Sequence, residues 1–315
     1  MRHLRHLATL VMVAALLPLQ VTRADIACAT WNLNLFPSRL WNIRASDAVE
    51  SANIKASAQF LRRTVAPLHN SDNTSLILFL QEIRDEDSCR KLLAATAIAG
   101  LKLDVISDFK DETGIAIWQQ VSLASTLLLL ESGSVPWRAS SSVTPHRGYA
   151  YAVYDNSPHG TIACFSLHLK SNLNLSGDVR EVQRNILKRE LASHQILAKT
   201  KELTTKYGNE LMVILGGDFN TNEDDARFVS EATLRSFYGA HFRNCFTGLA
   251  AKDRVTCPAI GRYPDATFDY ILYRGFTKMT GRYIFPAAAL SDHNLVAIEL
   301  QQPPPTPDPP DERVR

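Results

Sequence analysis

One short stretch near the middle of the chain constrains its fold and its chemistry most. Residues 211–215 are apolar and predict a buried strand. Gly216 and Gly217 follow, and their freedom predicts a close turn at the end of that strand. Asp218 and Asn220 stand two positions apart, so their side chains are expected to project the same way. A carboxylate beside an amide suits a phosphate oxyanion and its metal.

The N-terminus carries the pattern of a secretory signal peptide over residues 1–24. Two arginines precede the almost wholly apolar residues 8–21, and Thr22-Arg23-Ala24 offers small residues at the positions that a signal peptidase reads. The alternative is an uncleaved anchor. The apolar run is too short for a membrane span, so no stable membrane insertion is expected. The mature protein is predicted to be secreted or periplasmic.

The overall charge excludes few partners. The chain has 34 basic and 32 acidic residues, and the predicted signal peptide contains three of the basic ones. The mature protein is therefore near neutral, and a local basic face would still suffice for nucleic acid.

All five cysteines follow the predicted cleavage site. Cys245 and Cys257 close a short polar loop, so in an oxidising compartment they are the expected disulfide. Closing so short a loop would stabilise the protein by about 3 kcal/mol. Cys28 and Cys164 lie in apolar runs and are expected to be buried thiols.

The remaining chain alternates short apolar runs with longer amphipathic segments. Strands are predicted at residues 26–33, 76–80, 101–107, 114–118, 123–130, 149–154, 161–167, 211–215, 267–272 and 295–300. Helices are predicted at residues 47–65, 88–99, 178–206 and 224–238. This pattern favours sheets covered by helices on their outer faces. Residues 25–302 are expected to form one domain, and the proline-rich residues 303–315 a disordered tail.

Polar residues stand where several of these apolar runs stop. Asn32 and Glu82 end the first two strands, and Asp292 precedes the last one. They supply an amide and two carboxylates, which are ligands that a hard cation such as Mg²⁺ prefers. His168 and His293 lie among the same elements and can exchange protons with water or a leaving oxygen.

A histidine base needs a partner that orients it. Asp269 is a candidate, because it is a lone carboxylate among the apolar and aromatic residues of a predicted strand. Acids in such positions are rarely left unpaired. The alternative is a structural salt bridge.

Taken in order, the fragments around these residues resemble the endonuclease/exonuclease/phosphatase superfamily, the metal-dependent phosphoesterases around deoxyribonuclease I. The fragments are Trp31-Asn32, Gln81-Glu82-Ile83-Arg84-Asp85, Ser166-Leu167-His168, Gly217-Asp218-Phe219-Asn220, Phe268-Asp269-Tyr270-Ile271-Leu272 and Ser291-Asp292-His293. The resemblance covers nearly all of the mature chain. It implies an α+β fold, a four-layer αββα sandwich of two packed mixed β-sheets flanked by helices, with the site at the top of both sheets.

The resemblance also assigns roles. It implies that Mg²⁺ (or Mn²⁺ or Ca²⁺) binds the three oxygen ligands and that His293, paired with Asp269, orients or deprotonates the attacking water. His168 would donate a hydrogen bond or proton near the leaving oxygen. The residues that would position the nucleophile and the phosphate are Asp218 and Asn220. The general base is assigned jointly to Asp218 and His293.

Further contacts follow from the same comparison. Glu112 is expected to pair with His168, an exposed acid being the alternative. Arg147 matches a phosphate-facing arginine, although its flanking sequence differs. Arg84 would enter the minor groove of DNA, unless it is a surface arginine paired with nearby acids. The residues expected to contact a flanking phosphate are Lys170 and Asn172.

The predicted function is that of a monomeric, non-specific endonuclease that hydrolyses nucleic acid, with DNA as the expected substrate. Two alternatives within the superfamily are a phospholipase C-type sphingomyelinase and an inositol-phosphate phosphatase. A remote alternative is a secreted binding protein that has lost catalysis. The inositol-phosphatase pattern Trp-Cys-Asp-Arg is replaced here by Thr267-Phe268-Asp269-Tyr270, which counts against that alternative.

Overall fold

Two six-stranded β-sheets pack face to face in this protein, and helices cover their outer faces. The computed structural model describes residues 26–41, 43–69, 74–111, 113–145, 147–172, 178–261 and 263–304. The predicted signal peptide, most of the proline-rich tail and Glu112 lie outside these residues. The α+β sandwich expected from the sequence is confirmed.

The described residues form twelve strands: the first four and the last two in chain order belong to one sheet, and the six between them belong to the other. In chain order they are β1 Ile26–Phe36, β2 Ser75–Ile83, β3 Lys102–Ile106, β4 Gln120–Ser125, β5 Leu128–Pro136, β6 Gly148–Asp155, β7 Thr161–His168, β8 Met212–Asp218, β9 Arg243–Asn244, β10 Asp269–Arg274, β11 Lys278–Phe285 and β12 Leu295–Gln301. The first sheet has the order β11-β12-β1-β2-β4-β3, and the second has β5-β6-β7-β8-β10-β9.

In the part of the chain that the structure describes, four α-helices flank the sheets: α1 Asp47–Thr64, α2 Glu86–Thr96, α3 Val179–Tyr207 and α4 Thr233–Gly239. The apolar faces of α1 and α2 pack on the first sheet in a cluster that includes Leu61 and Leu92. Residues of α3 and α4, such as Ile196 and Phe237, pack on the second sheet. No helix among the described residues is both long and apolar enough to cross a membrane.

Strand direction brings the ends of the central strands to one edge. β1 runs parallel to β2 in the first sheet, and β7 runs parallel to β8 in the second. His168 and Asp218 face each other at the ends of β7 and β8, and Asp269 faces Asp218 at the start of the antiparallel β10. We call this edge, where the strand ends of both sheets meet, the catalytic end.

The two glycines before Asp218 do not form a turn, as the sequence predicted, but lie inside β8. At Gly216 a Cβ atom would lie 2.5 Å from Cγ of Phe79 on the facing sheet. At Gly217 it would lie 2.0 Å from the backbone oxygen of Leu167 on the neighbouring strand. Both positions lack a side chain because other groups approach the backbone closely.

Other differences from the predicted elements have similar causes. The apolar run at 123–130 is not one strand, because the chain passes there from β4 in one sheet to β5 in the other. Residues 114–118 form only an isolated bridge between Ala116 and Lys110. The helix predicted at 224–238 is instead a short 3-10 turn at Ala226–Phe228, a loop, and then α4, and β11 was not predicted.

The predicted Cys245–Cys257 disulfide is wrong for this structure. All five cysteines lie in the described residues, and all are free thiols. Sγ of the buried Cys245 accepts the backbone N–H of Ile271 at 3.5 Å. Cys257 instead pairs through its backbone with Ala266, at the base of a hairpin. Each cysteine is thus held by backbone hydrogen bonds to the chain at 266–271, not by a bond to the other cysteine.

Replacement of Gly216 by alanine should destabilise the fold, because the added methyl group would overlap the Phe79 ring. We expect the free energy of unfolding to fall by about 1–3 kcal/mol, as is typical of overpacking. Urea denaturation measures this change. Adding Phe79→Leu should recover part of the loss. Gly239→Ala is the matched control, since nothing lies within 4 Å of its added Cβ; an equal loss there would contradict the packing argument.

Candidate active site

A buried ion pair forms the centre of the catalytic end. Nδ1 of His293 lies 2.8 Å from Oδ2 of Asp269, whose side chain is fully buried. Burial by itself lowers the pKa of His293, but Asp269, followed by Asp218 and Asp292, raises it overall to about 10. His293 is therefore a cation at neutral pH, and Asp269 holds its ring in a fixed orientation.

Asp218 links the two sheets at this point. Its Oδ2 accepts the amide of Asn32 at 3.1 Å and lies 3.9 Å from Nε2 of His293. Its Oδ1 accepts the backbone N–H of Asn220 at 2.9 Å. Burial raises the pKa of Asp218 to about 7, with Asp269 and Glu82 adding to the rise and His293 opposing it. A carboxylate with such a pKa can take up a proton near neutral pH.

His168 lies on the other side of Asp218, next to an arginine. Nη1 of Arg147 lies 2.7 Å from Nδ1 of His168, and Nε2 of His168 lies 3.6 Å from Glu82 and 3.7 Å from Asp218. Burial, together with Arg147, His293 and Lys170, lowers the pKa of His168 well below its usual range. The two histidines of the site therefore carry different charges at neutral pH.

Among the residues that the structure describes, Arg147 contacts neutral groups and no carboxylate. It donates to the side chain of Gln119 at 2.9 Å and to the carbonyl of Leu169 at 3.0 Å, besides its contact with His168. Gln119 is a site residue that sequence reasoning missed, and a glutamine just before a strand gives no distinctive signal. Glu112, the predicted partner of His168, lies outside the described residues.

The three predicted metal ligands come from three separate segments around this centre. Oε1 of Glu82 accepts the amide of Asn32 at 3.1 Å, and Oε2 of Glu82 accepts the N–H of Leu35 at 3.0 Å. Ser291, beside Asp292, donates its hydroxyl to the carbonyl of Asn32 at 2.7 Å and so ties the third segment to β1.

The donor groups present fit a hard divalent cation. Ligand atoms of Asp218, Asp269 and His293 all lie within 4.8 Å of one another, but a protonated His293 has no free lone pair for a metal, so this cluster offers a cation only its two carboxylates. Oδ1 of Asp269 is buried and has no hydrogen-bond partner among the described residues. Several carboxylates in one buried space, one of them unsatisfied, favour binding of positive charge.

Three of the predicted site residues have unusual backbone conformations. The φ angles of Glu82, Arg147 and Asn220 are 58°, 69° and 51°, in the left-handed region that non-glycine residues seldom adopt. Such conformations persist only where the surroundings hold them, and they cluster at functional sites. At these three positions the side chain is aimed into the site at the expense of a relaxed backbone.

Arg84 does not reach solvent as the nucleic-acid hypothesis required. Its side chain is 8 % exposed and forms ion pairs with Glu50 and Asp85. It also donates to the hydroxyls of Ser38 and Ser88 and lies over the Trp118 ring. Every guanidinium nitrogen is already engaged within the protein, which counts against the expected minor-groove contact; that contact stays a prediction.

The two residues predicted to contact a flanking phosphate have different environments. Asn172 donates its side-chain amide to the carbonyl of Asn220, so it joins two loops of the site. Lys170 is half-buried, and burial with neighbouring Arg147 lowers its pKa. The Lys170 carbonyl accepts a hydrogen bond at 2.9 Å from Arg189, which forms a fully buried ion pair with Glu231.

Comparison with known proteins agrees with this geometry. The model of the endonuclease/exonuclease/phosphatase family matches residues 29–293. No curated protein matches the chain.

Three solved structures with similar folds share only 15–16 % of residues with this chain. An endonuclease/exonuclease/phosphatase from Bacteroides vulgatus has a TM-score of 0.62, with 89 % of this chain and 100 % of that chain covered. TDP2 from Caenorhabditis elegans has 0.56, with 88 % and 74 % covered. A mannosyl-6-phosphatase from Bacteroides thetaiotaomicron has 0.54, with 87 % and 99 % covered. These likenesses establish the fold.

The Asp269–His293 pair should make stability depend on pH. The pKa of His293 is raised from 6.5 to about 10, so its contribution is fully present below pH 6.5 and lost as the pH rises through 10. In EDTA at pH 6, Asp269→Asn should lower the free energy of unfolding by about 1–3 kcal/mol. The difference should close or reverse above pH 10, where the wild type keeps an unpaired buried carboxylate.

Urea denaturation at pH 6 and at pH 10.5 measures both values. The exposed Asp253→Asn serves as the matched control, because it removes one carboxylate without touching the site. A pH-independent loss of stability in Asp269→Asn would contradict the charge argument.

Proposed function

Because this chain belongs to the endonuclease/exonuclease/phosphatase family, we propose that it is a metal-dependent phosphodiesterase that cuts nucleic acid at internal bonds. DNA is the first substrate to test, and we propose that the enzyme is secreted or periplasmic and acts as a monomer. One observation carries the proposal. In one buried site, the Asp269–His293 pair lies on one side of Asp218, with Nε2 of His293 3.9 Å from Oδ2 of Asp218, and the Arg147–His168 pair lies on the other side, with Nε2 of His168 3.7 Å from the same oxygen.

The difference in charge between these groups divides the chemical roles. Asp218 accepts a proton from the attacking water, because its pKa lies near the working pH. His293 already carries its proton, so it holds the attacking water or a phosphate oxygen by charge and hydrogen bonding. This division favours Asp218 over His293 as the general base.

The opposite side of the site serves the leaving oxygen. With its Nδ1 next to Arg147, His168 presents Nε2 toward the space shared by Glu82 and Asp218. A hydrogen bond from this nitrogen and the positive charge of Arg147 would stabilise negative charge on the phosphate and on the departing group. Asn220, whose amide donates to the carbonyl of Leu169 at 3.3 Å, borders the same space.

Mg²⁺, or Mn²⁺ or Ca²⁺, held by Asn32, Glu82 and Asp292, would supply positive charge that stabilises the transition state of phosphoryl transfer. The protein's part is to present these oxygen ligands in a buried setting.

Nicking of supercoiled plasmid by residues 25–315 tests the function. We expect His293→Ala and His168→Ala each to reduce the rate by about 10²–10⁴-fold, the usual contribution of a positioned acid or base. His194→Ala on the exposed face of α3 is the matched control and should keep full activity. Unchanged nicking in both site variants would contradict the assigned roles.

Removal of metal should have an equally large effect. EDTA is expected to abolish nicking, added Mg²⁺ to restore it, and Glu82→Ala to shift the Mg²⁺ requirement to higher concentration because a carboxylate ligand is lost. Sphingomyelin and inositol phosphates are tested alongside. Metal-dependent hydrolysis of one of these with intact plasmid would keep the chemistry and replace the substrate.

A further inference from the structure

The chain segment that follows β7 contacts the active site through its backbone. Residues 169–172 come directly after this strand and have no regular secondary structure. The carbonyl of Leu169 accepts Nη2 of Arg147 at 3.0 Å and the side-chain amide of Asn220 at 3.3 Å. The N–H of Leu169 donates to the carbonyl of Asp218 at 2.9 Å. The conformation of this segment therefore helps to determine where Arg147 and Asn220 lie.

A buried arginine on α3 holds the next carbonyl of the segment. Nη1 of Arg189 donates to the carbonyl of Lys170 at 2.9 Å, although the two residues lie 19 positions apart in the chain. The side chain of Arg189 is 1 % exposed, so water does not compete for this hydrogen bond. Hydrogen bonds from a charged donor are also about twice as strong as those between neutral groups. The segment is thus fixed by a group that lies outside the sheet.

Arg189 is itself held in one orientation by Glu231. Nε of Arg189 donates to Oε1 of Glu231 at 2.8 Å, and Nη2 donates to Oε2 at 2.5 Å. Because guanidinium and carboxylate are both planar, two parallel hydrogen bonds fix the plane of the arginine head group. The remaining nitrogen, Nη1, is then directed at the carbonyl of Lys170.

The carboxylate of Glu231 is supported in turn by the start of α4. Its Oε1 accepts the hydroxyl of Thr233 at 2.6 Å. Oε1 of Glu190, the residue after Arg189 on α3, accepts the N–H of Ala232 at 2.7 Å. The two helices therefore hold the Arg189–Glu231 pair from both sides.

These contacts fix the peptide group that faces Arg147. The peptide between Leu169 and Lys170 is planar and can rotate only about the single bonds on either side of it. On one side the N–H of Leu169 is bonded to Asp218, and on the other side the carbonyl of Lys170 is bonded to Arg189. With both neighbouring peptide groups held, the carbonyl of Leu169 keeps the direction in which it accepts Arg147.

Stability alone does not explain why a charged pair occupies this place. Burial of an ion pair removes two charges from water, and apolar residues of similar volume are often at least as stabilising. Arg189 engages all three of its nitrogens, two with Glu231 and one with a backbone carbonyl. An apolar side chain could fill the same volume but could not hold that carbonyl.

We propose that Arg189 is a positioning residue for the proposed hydrolysis. Together with Glu231, it fixes the peptide after Leu169 so that Arg147 presents its positive charge to the phosphate. The inference rests on the proposed function, because it takes Arg147 as a group that stabilises negative charge on the phosphate. Arg189 acts through the backbone of residues 169–170 and does not itself contact the substrate.

The variant Arg189→Lys tests this role in residues 25–315. Lysine can still pair with Glu231, but its single nitrogen cannot replace three guanidinium nitrogens. We expect kcat for plasmid nicking to fall by about 10–100-fold, because a small displacement of a catalytic group is costly. KM should change little, since the contact that is weakened is one made in the transition state. Arg184→Lys, whose side chain on α3 is 53 % exposed, is the control and should keep the wild-type kcat.

A second variant separates positioning from stability. Arg189→Met combined with Glu231→Leu removes the ion pair without leaving an unpaired buried charge, so the fold should persist. Circular dichroism and urea denaturation verify that both variants are folded under the assay conditions. The double variant should show the same fall in kcat. A folded variant of either kind with the wild-type kcat would overturn the proposal.

A double-mutant cycle identifies the group through which Arg189 acts. If Arg189 positions Arg147, the losses caused by Arg189→Lys and Arg147→Gln should not multiply. Most of the effect of Arg189→Lys should disappear in the Arg147→Gln background, measured at high enzyme concentration. Losses that multiply in full would show that Arg189 acts independently of Arg147 and would overturn the positioning role.

A measurement without substrate keeps this inference separate from the proposed function. The NMR signal of the Arg147 Nε–H group, assigned by its absence in Arg147→Gln, should shift in Arg189→Lys and stay unchanged in Arg184→Lys. If the signal shifts but the wild type hydrolyses no phosphodiester, the proposed function alone is contradicted. If the wild type is active and the signal does not shift, the positioning role alone is overturned.

Discussion

The close approach of the two sheets is the constraint on which the rest of the structure depends. At the catalytic end the Phe79 ring of one sheet packs against the bare backbone of Gly216 in the other. Only at that separation can Asn32 of the first sheet donate to Asp218 of the second at 3.1 Å. The active site thus lies where the two sheets meet, and the packing between the sheets sets its geometry.

Buried charge is treated in two ways within this fold. Arg84 and Arg189 are each neutralised by a buried carboxylate, Glu50 and Glu231 respectively. Arg147 instead contacts an amide, an imidazole and a carbonyl. The first two arginines hold segments of the protein together, whereas the third keeps positive charge at the place where a phosphate would bind.

Most of the site follows from the sequence because its residues stop apolar strands, and strand ends of one direction meet at one edge. The fold class and the family follow from the order of the same fragments. The sequence does not reveal which distant residues a long side chain contacts. Arg84 is adjacent to acids in sequence, yet its main partner, Glu50, lies 34 positions away.

Continuity of apolar residues also misleads. The run at 123–130 gives no sign that the chain leaves one sheet and enters the other, because both parts are equally apolar in sequence, although β4 is buried and Leu128 and Leu130 are exposed. The glycines before Asp218 illustrate the same limit. A glycine that allows a turn and a glycine that makes room for a neighbouring group look the same in the sequence. Only the facing Phe79 distinguishes the two.

The pairing of the first strand with the last one has a consequence for how the protein becomes active. β1 lies between β12 and β2, with Ile26 opposite Leu300. Site residues extend from Asn32 to His293, so contacts between distant parts of the chain must form before the site exists. A growing polypeptide in which β12 has not yet left the ribosome contains most of the site residues, but they are not yet assembled into a catalytic centre. The topology thus delays activity until β12 has been synthesised and has paired with β1.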